Sequence, residues 1–265
     1  MRAAVLGSPI GHSLSPLLHR AAYAALDLAW TYDTIELTPA GLPGFLANLD
    51  DGWAGLSLTM PLKQTVLPLL STASDLVRVT GAANTVVLRG GERHGHNTDV
   101  AGIVAALREA GLTSARTGAV LGAGATAASA LAALAELGCS VVTVHARSPE
   151  RAAGLLVVAA SLGVELRIAL LTAGFAGPDC DVVVSTTPAG ALDNLVADAR
   201  PGTCAPVLLD VVYHPWPTPL AGLHLAAGGT VVPGLAMLLH QAAAQVELMT
   251  GRPAPLEAMR AALPA

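Results

Sequence analysis

The chain has 265 residues, 53% of them hydrophobic and only 3% aromatic, so its core has to be built mainly from Ala, Val and Leu. Charged residues make up 12% and the formal net charge is −5, which argues against a nucleic-acid partner because no basic field is available to neutralise phosphates. The mean hydropathy is +0.58, yet charged residues, Gly or Pro interrupt every apolar run of about 18 residues, so no membrane span is predicted.

The start of the chain and its cysteines indicate the compartment. Residues 1–7 resemble a buried strand and not an export signal, so we expect a cytoplasmic protein. The three cysteines, Cys139, Cys180 and Cys204, form no CxxC or Cys/His pattern. We therefore predict neither a disulfide framework nor a metal site, and we expect the cysteines in the core.

Short Val- and Leu-rich runs alternate with Ala-rich segments of helical length, a rhythm that predicts βαβ units and parallel sheets. In the first half we expect a helix at 16–26 and strands at 3–6, 32–37, 55–58 and 85–88. A helix at 99–110 should follow them and lead into the second half. These elements are sufficient for a separate, smaller α/β domain.

The second half carries candidate strands at 119–121, 141–145, 164–168, 182–185, 207–212 and 230–232. Six strands suffice for a doubly wound (Rossmann) domain. The final helix, from about residue 235 to residue 250, is too long to belong only to the last strand and should fold back onto the first domain. We therefore expect a substrate-binding domain of residues 1–100 plus 235–265 and a nucleotide-binding domain of residues 101–234.

Helix ends carry recognisable signals. Ser15 and Ser148 each precede a proline, which predicts capping serines at two helix starts. Gly111, Gly138 and Gly163 are expected to end helices.

A glycine-rich loop between a predicted strand and a predicted helix matches the G-x-G-x-x-A pattern of dinucleotide-binding sites. Gly122 would permit the tight turn, Gly124 would let backbone amides approach a pyrophosphate, and Ala127 would let helix and strand pack closely. The alternative is a purely structural Gly/Ala turn in a chain rich in both residues.

The end of the next strand indicates which dinucleotide binds. NAD sites usually carry an acidic residue about 20 residues after the loop, whereas this chain has Arg147 there, followed by Ser148 at a helix start and by Arg151. Guanidinium groups at a helix start suit a 2′-phosphate, so NADP is favoured over NAD. The alternative is a solvated arginine.

Lys63 is the single lysine among 14 basic residues. Lysine offers an amine that can donate and accept protons, which arginine cannot do at working pH. It follows a strand that ends in Ser57 and Thr59, at a position where parallel sheets bind ligands. One residual surface lysine is the alternative.

Other polar residues lie at comparable junctions. Ser13 and Ser15 follow the first strand and precede a helix, a suitable receptor for a carboxylate. Asn84 opens the fourth predicted strand, and Asp99 begins the linking helix. Taken alone, Asp99 is best interpreted as an N-cap.

Together these motifs resemble the shikimate dehydrogenase family along almost the whole chain. The resemblance lies at 7–19, 57–63, 81–85, 95–99, 122–127 with Arg147, 186–190, 210–220 and 234–242. It implies a two-domain α/β enzyme that reversibly reduces 3-dehydroshikimate to shikimate with NADPH, with the substrate between the domains. The implied partners are small molecules only, and the chain is expected to be a monomer or homodimer.

The resemblance also implies a role for each matching residue. Lys63 and Asp99 would be catalytic. The implied substrate-binding residues are Ser13, Ser15, Thr59, Asn84, Tyr213 and Gln241. The implied cofactor-binding residues are Gly122, Gly124, Ala125, Ala127, Arg147, Ser148, Arg151, Thr186, Gly234 and Met237.

This chain departs from the family pattern at three positions: Ser57 replaces the usual Asn, Ala125 the usual Gly, and Arg20 the usual Asn. A quinate/shikimate dehydrogenase paralogue therefore stays open, because the shorter Ser57 is compatible with a bulkier substrate. A non-catalytic NADP- or shikimate-binding regulator is a second alternative, which retention of Lys63 and Asp99 disfavours. Relatives of methylene-tetrahydrofolate or glutamyl-tRNA reductases would not explain the serine and Asn-Thr-Asp clusters.

Overall fold

The computed structural model describes residues 1–172, 179–197 and 206–264. The chain divides into two compact units, the first formed by Met1–Gly102 with Leu238–Ala265 and the second by Ile103–Met237. No helix in the described part of the chain has the length and apolar character needed to span a membrane.

The elements follow one another in a regular order. The first part contains β1 (Arg2–Gly7), α1 (Ser15–Ala25), β2 (Thr31–Glu36), α2 (Leu42–Ala47), β3 (Trp53–Leu58), α3 (Leu62–Thr65), β4 (Thr72–Ala73), α4 (Asp75–Thr80), β5 (Thr85–Arg89), β6 (Glu92–His96) and α5 (Asp99–Glu109). The middle part contains β7 (Thr117–Leu121), α6 (Ala125–Glu136), β8 (Val141–Ala146), α7 (Pro149–Leu162), β9 (Glu165–Leu170), β10 (Val182–Ser185), α8 (Asp193–Val196), β11 (Val207–Asp210), α9 (Pro219–Ala226) and β12 (Thr230–Pro233). The last helices are α10 (Gly234–Thr250) and α11 (Leu256–Ala261).

The first unit has a mixed sheet in the order β2-β1-β3-β5-β6-β4. β1 is parallel to both β2 and β3, whereas β5 is antiparallel to β3 and to β6. The expectation of a parallel sheet is wrong for this part. Gly90 and Gly91, with φ of 58° and 76°, join β5 to β6 by a tight turn, which forces the two strands to run in opposite directions.

The second unit has an all-parallel sheet in the order β12-β11-β10-β7-β8-β9. Counted from β7, this is the 6-5-4-1-2-3 order of a doubly wound domain. The predicted fold class is confirmed. The strand order reverses between β7 and β10, so the loops that follow these two strands lie where doubly wound sheets bind ligands.

Helix α10 belongs to the first unit from Leu238 onward. Its Leu239, Ala242 and Val246 are buried against Leu18 and Ala22 of α1. This packing brings the amide side chains of α10 to the carboxyl end of β3, and so contributes to the site described below.

The predicted helix ends at Gly111, Gly138 and Gly163 are confirmed, because all three glycines have positive φ. The predicted serine caps are only half correct. Leu14, not Ser15, is the N-cap of α1, because Ser15 is already the first helical residue. Ser148 is the N-cap of α7, but its hydroxyl makes no hydrogen bond to the helix backbone.

The expectation that the cysteines lie in the core is confirmed for one of the two cysteines that the structure describes. Cys139 is buried and Cys180 is half-buried. Cys204 lies outside the described residues.

Candidate active site and nucleotide site

The polar site of the first unit is assembled by the antiparallel pairing of β5. Ser57, near the end of β3, pairs with Thr85, the first residue of β5, and Thr85 pairs with His96 at the end of β6. The residues just outside the strands, Asn84 and Asp99, are therefore brought to one edge of the sheet.

Lys63 and Asp99 form an ion pair there. The Lys63 Nζ donates to the Asp99 Oδ2 at 2.5 Å, and the two side chains are 14% and 5% exposed. The lysine lies on the short helix α3, whose position is fixed by a hydrogen bond from the Ala83 N–H to the Lys63 carbonyl oxygen at 2.8 Å. The pair places a proton donor and a hydrogen-bond acceptor side by side at the edge of a buried region.

Asn84 holds the other oxygen of the aspartate. Its Nδ2 donates to Asp99 Oδ1 at 2.8 Å and lies 3.2 Å from the Gln241 Oε1. The orientation of the amide is fixed by the Thr98 backbone N–H, which can only donate and which meets Asn84 Oδ1 at 2.8 Å. Three predicted site residues, Asn84, Asp99 and Gln241, are thus in direct contact.

The interpretation of Asp99 as an N-cap is wrong. Its carboxylate oxygens are bound by Lys63 and Asn84. The Asn97 Oδ1 instead accepts the backbone N–H of Asp99 at 3.1 Å. Both carboxylate oxygens of Asp99 are therefore directed to side chains of the site.

The two serines and Thr59 border the same strand ends. Ser15 is buried and its backbone N–H donates to the Ser13 Oγ at 3.3 Å, so Ser13 satisfies a donor at the start of α1. Thr59 follows β3, and its backbone N–H donates to the Leu6 carbonyl oxygen at 2.9 Å. A Cβ at Gly7 would lie 2.4 Å from the Thr59 Cγ2, so only glycine allows Thr59 to sit over β1.

In the second unit the glycine-rich loop has the predicted strand-loop-helix setting. Gly122 has a φ of 107°, and a Cβ there would lie 2.7 Å from the Thr186 Oγ1. The same Thr186 hydroxyl donates to the Leu121 carbonyl oxygen at 2.9 Å, so it stabilises the turn. Ala127 is fully buried, as close packing of helix on strand requires.

The start of α6 has room for an anion. Gly124 is its N-cap. Among the residues that the structure describes, no side chain satisfies the first N–H groups, and a Cβ at Gly124 would meet no atom within 4 Å. Ala125 is the first helical residue. Free N–H groups at the start of a 12-residue helix favour phosphate binding.

The arginines after β8 are exposed. The guanidinium groups of Arg147 and Arg151 form no hydrogen bond or ion pair with the described residues. Ser148 lies between them at the start of α7, where its hydroxyl contacts the Glu150 carboxylate and helps to hold the pKa of Glu150 below its usual value. The two guanidinium groups therefore remain available for an anionic ligand.

Three further predicted residues lie in the second unit. Tyr213 is half-buried, which raises the pKa of its hydroxyl, and its loop is fixed by buried Asp210, whose carboxylate accepts from the Thr218 Oγ1 at 2.8 Å. Met237 is 7% exposed. A Cβ at Gly234 would lie 2.2 Å from the Val211 carbonyl oxygen, so close backbone packing explains this glycine without a ligand.

Comparisons with known proteins give the family. Residues 5–86 match the shikimate dehydrogenase substrate binding domain, and residues 234–263 match the shikimate 5'-dehydrogenase C-terminal domain. The shikimate dehydrogenase (NADP(+)) of Desulfitobacterium hafniense strain Y51 is 36% identical over 98% of this chain and 96% of its own length. The chain belongs to the shikimate dehydrogenase family.

Solved shikimate dehydrogenases have the same fold. The enzyme of Mycobacterium tuberculosis superposes with a TM-score of 0.89 at 42% identity, covering 98% of both chains. The enzyme of Thermus thermophilus, solved in complex with NADP(H) and shikimate, gives a TM-score of 0.85 at 33% identity and covers 99% of this chain and 100% of its own.

Sequence reasoning missed part of the polar site of the first unit. Tyr32 and Gln245 are buried and are linked through Ser57: the Tyr32 hydroxyl donates to the Ser57 Oγ at 2.6 Å, and the Ser57 Oγ donates to the Gln245 Oε1 at 2.7 Å. Gln245 follows Gln241 by four residues, a spacing that places both on one helix face and could have revealed it. Tyr32 carries no such signal.

No cluster of three or more His, Cys, Asp or Glu side chains suited to a metal ion occurs among residues 1–172, 179–197 and 206–264. The polar groups of the first unit bond to one another instead, through the lysine, the amides and the hydroxyls described above.

Proposed function

We propose that this chain catalyses the reversible, NADP-dependent reduction of 3-dehydroshikimate to shikimate. The observation that carries the proposal is the buried Lys63–Asp99 pair, held by Asn84, in a chain of the shikimate dehydrogenase family. The relatives are named shikimate dehydrogenase (NADP(+)), and one solved relative contains NADP(H) and shikimate. The reaction therefore belongs to the formation of aromatic amino acids from shikimate.

Reduction of a ketone requires a hydride and a proton, and NADP(H) supplies or accepts the hydride when bound. The Lys63 ammonium donates the proton to the oxygen that develops negative charge. Asp99 orients the lysine through its Oδ2 and leaves lone pairs for a substrate hydroxyl. Asn84 keeps the carboxylate from rotating, so both groups stay in reacting geometry.

The remaining residues of the first unit bind the substrate in this proposal. Ser13 and Ser15 hold the carboxylate with their hydroxyls. Thr59, Asn84 and Gln241 bind the ring hydroxyls, and Tyr213 of the second unit adds a phenol that remains protonated because burial raises its pKa. Such a site rejects deoxy analogues, since buried polar groups would lose their partners.

The second unit holds NADP in this proposal. The N–H groups of the loop between Gly122 and Ala127 receive the pyrophosphate, because those of Gly122 and Ala127 themselves already donate to the His145 and Gly124 carbonyl oxygens. Arg147 and Arg151 bind the 2′-phosphate. The exposed guanidinium groups, which have no partner in the described part of the chain, and the open space at Gly124 support this assignment. Ser148, Thr186, Gly234 and Met237 complete the proposed cofactor site.

A quinate/shikimate dehydrogenase is the second candidate, favoured by one observation. The Ser57 hydroxyl is already bonded to Tyr32 and Gln245, and the serine is shorter than the family's usual Asn. A small residue at this place leaves room for a larger substituent on the substrate ring.

Initial rates with NADP or NAD against shikimate or quinate test the proposal. We expect the highest kcat/KM with shikimate and NADP, and a preference for NADP of at least about tenfold, the lower bound for one charged contact to phosphate. Equal kcat/KM for quinate would support the second candidate. Absence of shikimate oxidation with either cofactor would contradict the proposed activity.

The variant Ser15→Ala tests the substrate site by itself. Because one hydroxyl bound to a carboxylate is lost, the KM for shikimate should rise about 10-fold or more while the KM for NADP stays unchanged. Thermal unfolding of the same variant is the control for loss of structure. A rise in the KM for NADP alone would place the carboxylate site elsewhere.

The proposal includes a monomer or homodimer in the cytoplasm that binds small molecules only. Analytical ultracentrifugation measures the assembly, and cell fractionation measures the location.

A further inference from the structure

We infer that Tyr32, Ser57, Gln245 and Thr85 are positioning residues: they form one directional chain of buried hydrogen bonds that orients Asn84 and, through Asn84, the Asp99 carboxylate. The inference rests on the proposed function. None of the four residues needs to touch the substrate for it to hold.

The direction of the chain follows from the donors at its inner end. Thr98 N–H can only donate, so the atom of Asn84 that faces it is Oδ1. The Thr85 hydroxyl has a single hydrogen and lies 2.9 Å from the same Oδ1, so it donates there. Its oxygen is then left to accept the Gln245 Nε2 at 3.0 Å.

The outer half of the chain follows in the same way. Since the Nε2 of Gln245 faces Thr85, its Oε1 faces Ser57 and accepts the Ser57 hydroxyl at 2.7 Å. The Ser57 oxygen accepts the Tyr32 hydroxyl at 2.6 Å, so Tyr32 is the outer end of the chain of hydrogen bonds. Each hydroxyl uses its one hydrogen toward Asn84.

Burial makes the chain of hydrogen bonds rigid. Tyr32 and Thr85 are fully buried, and Gln245 and Ser57 are 1% and 3% exposed. A buried polar group that loses its partner is not compensated by water, so the four residues stay in this one arrangement. The arrangement connects Tyr32 on β2 with the Lys63–Asp99 pair through Asn84.

Thr85 gives the sharpest test because two substitutions separate its hydroxyl from its methyl group. Thr85→Val removes only the hydroxyl, whereas Thr85→Ser keeps it. We expect Thr85→Val to lower kcat for shikimate oxidation by about 10- to 100-fold with little change in the KM for NADP, because small displacements of a positioned group have effects of this size. Thr85→Ser should restore kcat to within about fivefold of the wild-type value.

Gln245→Met removes the three hydrogen bonds of the amide, to Ser57, Thr85 and the Asn84 carbonyl oxygen, at nearly constant volume and should match Thr85→Val. At the far end, Tyr32→Phe should lower kcat by about fivefold or less, because one neutral hydrogen bond is lost. Tyr23→Phe is the matched control. The Tyr23 ring packs beside that of Tyr32, with the two ring centroids 6.4 Å apart. Its hydroxyl has no hydrogen-bond partner among the described residues, so kcat should not change in Tyr23→Phe.

A second readout does not depend on turnover. The side-chain amide signals of Asn84 in a ¹⁵N–¹H spectrum report its geometry and should shift in Thr85→Val and Gln245→Met but not in Tyr23→Phe. Unchanged Asn84 signals, or kcat within twofold of wild type in both variants, would overturn the inference. If the wild-type protein does not oxidise shikimate but the Asn84 signals shift in Thr85→Val and Gln245→Met, only the proposed function is contradicted.

Discussion

In the first unit the site consists of charged, amide and hydroxyl side chains that are bonded to one another and nearly removed from solvent. In the second unit the proposed nucleotide site consists of backbone N–H groups, glycines that carry no side chain, and exposed arginines. The first site is organised by contacts within the protein, whereas the second offers groups that only a ligand would engage. Substitutions should therefore act differently in the two units, on turnover in the first and on cofactor affinity or loop stability in the second.

Lys63→Arg should have the largest effect. The substitution keeps the charge next to Asp99, but a guanidinium cannot give up its proton at working pH, so we expect kcat to fall by about 10² to 10⁴. The measurement is kcat for shikimate oxidation at saturating NADP. Arg108→Lys, at an exposed position paired with Glu136, is the matched exchange and should leave kcat unchanged. Near-normal kcat for a folded Lys63→Arg protein would remove Lys63 from the proton transfer.

The two loop glycines of the second unit should separate stability from binding. Gly122→Ala places a Cβ 2.7 Å from the Thr186 hydroxyl at a φ of 107°, so we expect the free energy of unfolding to fall by roughly 2–4 kcal/mol. Gly124→Ala meets no atom within 4 Å and should cost about 1 kcal/mol or less, as an N-cap exchange. Urea unfolding measures both.

Affinity for NADP completes that comparison. Gly124→Ala should weaken NADP binding despite its small effect on folding, because the new methyl group would lie where the pyrophosphate approaches the backbone. Equal losses of stability in the two variants, or unchanged NADP affinity in Gly124→Ala, would show that the loop is only a structural turn.

Removing the exposed arginines should affect only one cofactor. The double variant Arg147→Ala, Arg151→Ala loses the charged contacts to the 2′-phosphate, so NADP should bind about 10- to 150-fold more weakly, which corresponds to roughly 1.5–3 kcal/mol. NAD lacks that phosphate and should bind as before. Arg167→Ala, whose guanidinium pairs with Glu165 on β9, is the control. Equal weakening of both dinucleotides would contradict the assignment.

The sequence predicted the second unit better than the first because of how each is built. The Rossmann domain repeats one local unit, so periodicity, glycine positions and strand order follow from general rules, and the loop at Gly122 was found with its strand and helix. The first unit depends on one antiparallel hairpin at Gly90–Gly91. Its second strand is short and polar, so the sequence pattern does not indicate a strand there. Asn84 and Asp99, which that hairpin brings together, could be given roles in one site only through a family resemblance, because each alone is an ordinary residue at the start of a strand or helix.

The contacts within the site could not be predicted at all. Asp99 had the local features of an N-cap, but its carboxylate is bound by Lys63 and Asn84, which lie 36 and 15 residues away in sequence. Ser57 was recognised as a departure from the family, but its partners Tyr32 and Gln245 lie 25 and 188 residues away in sequence. Such pairings depend on packing between elements, which a single sequence does not encode in any short-range pattern.

Burial in the first unit should also make it sensitive to acid. His19 is completely buried and stacks on Tyr32 with ring centroids 3.9 Å apart, and burial lowers its pKa from 6.5 to about 4. Between these values the unfolded chain binds a proton that the native chain does not, so stability rises with pH there. The contribution is present above pH 6.5 and is lost as the pH falls toward 4.

The expected loss between pH 7 and pH 5 is about 2 kcal/mol, measured as the change in the free energy of unfolding in urea. His19→Phe keeps an aromatic ring for stacking but cannot titrate, so its stability should fall by about 2 kcal/mol less over the same interval. Comparing the two pH dependences removes the contribution of the other histidines. Parallel curves for wild type and His19→Phe would mean that His19 is protonated in the native state, contrary to a neutral ring whose Nδ1–H donates to the Ser15 carbonyl oxygen.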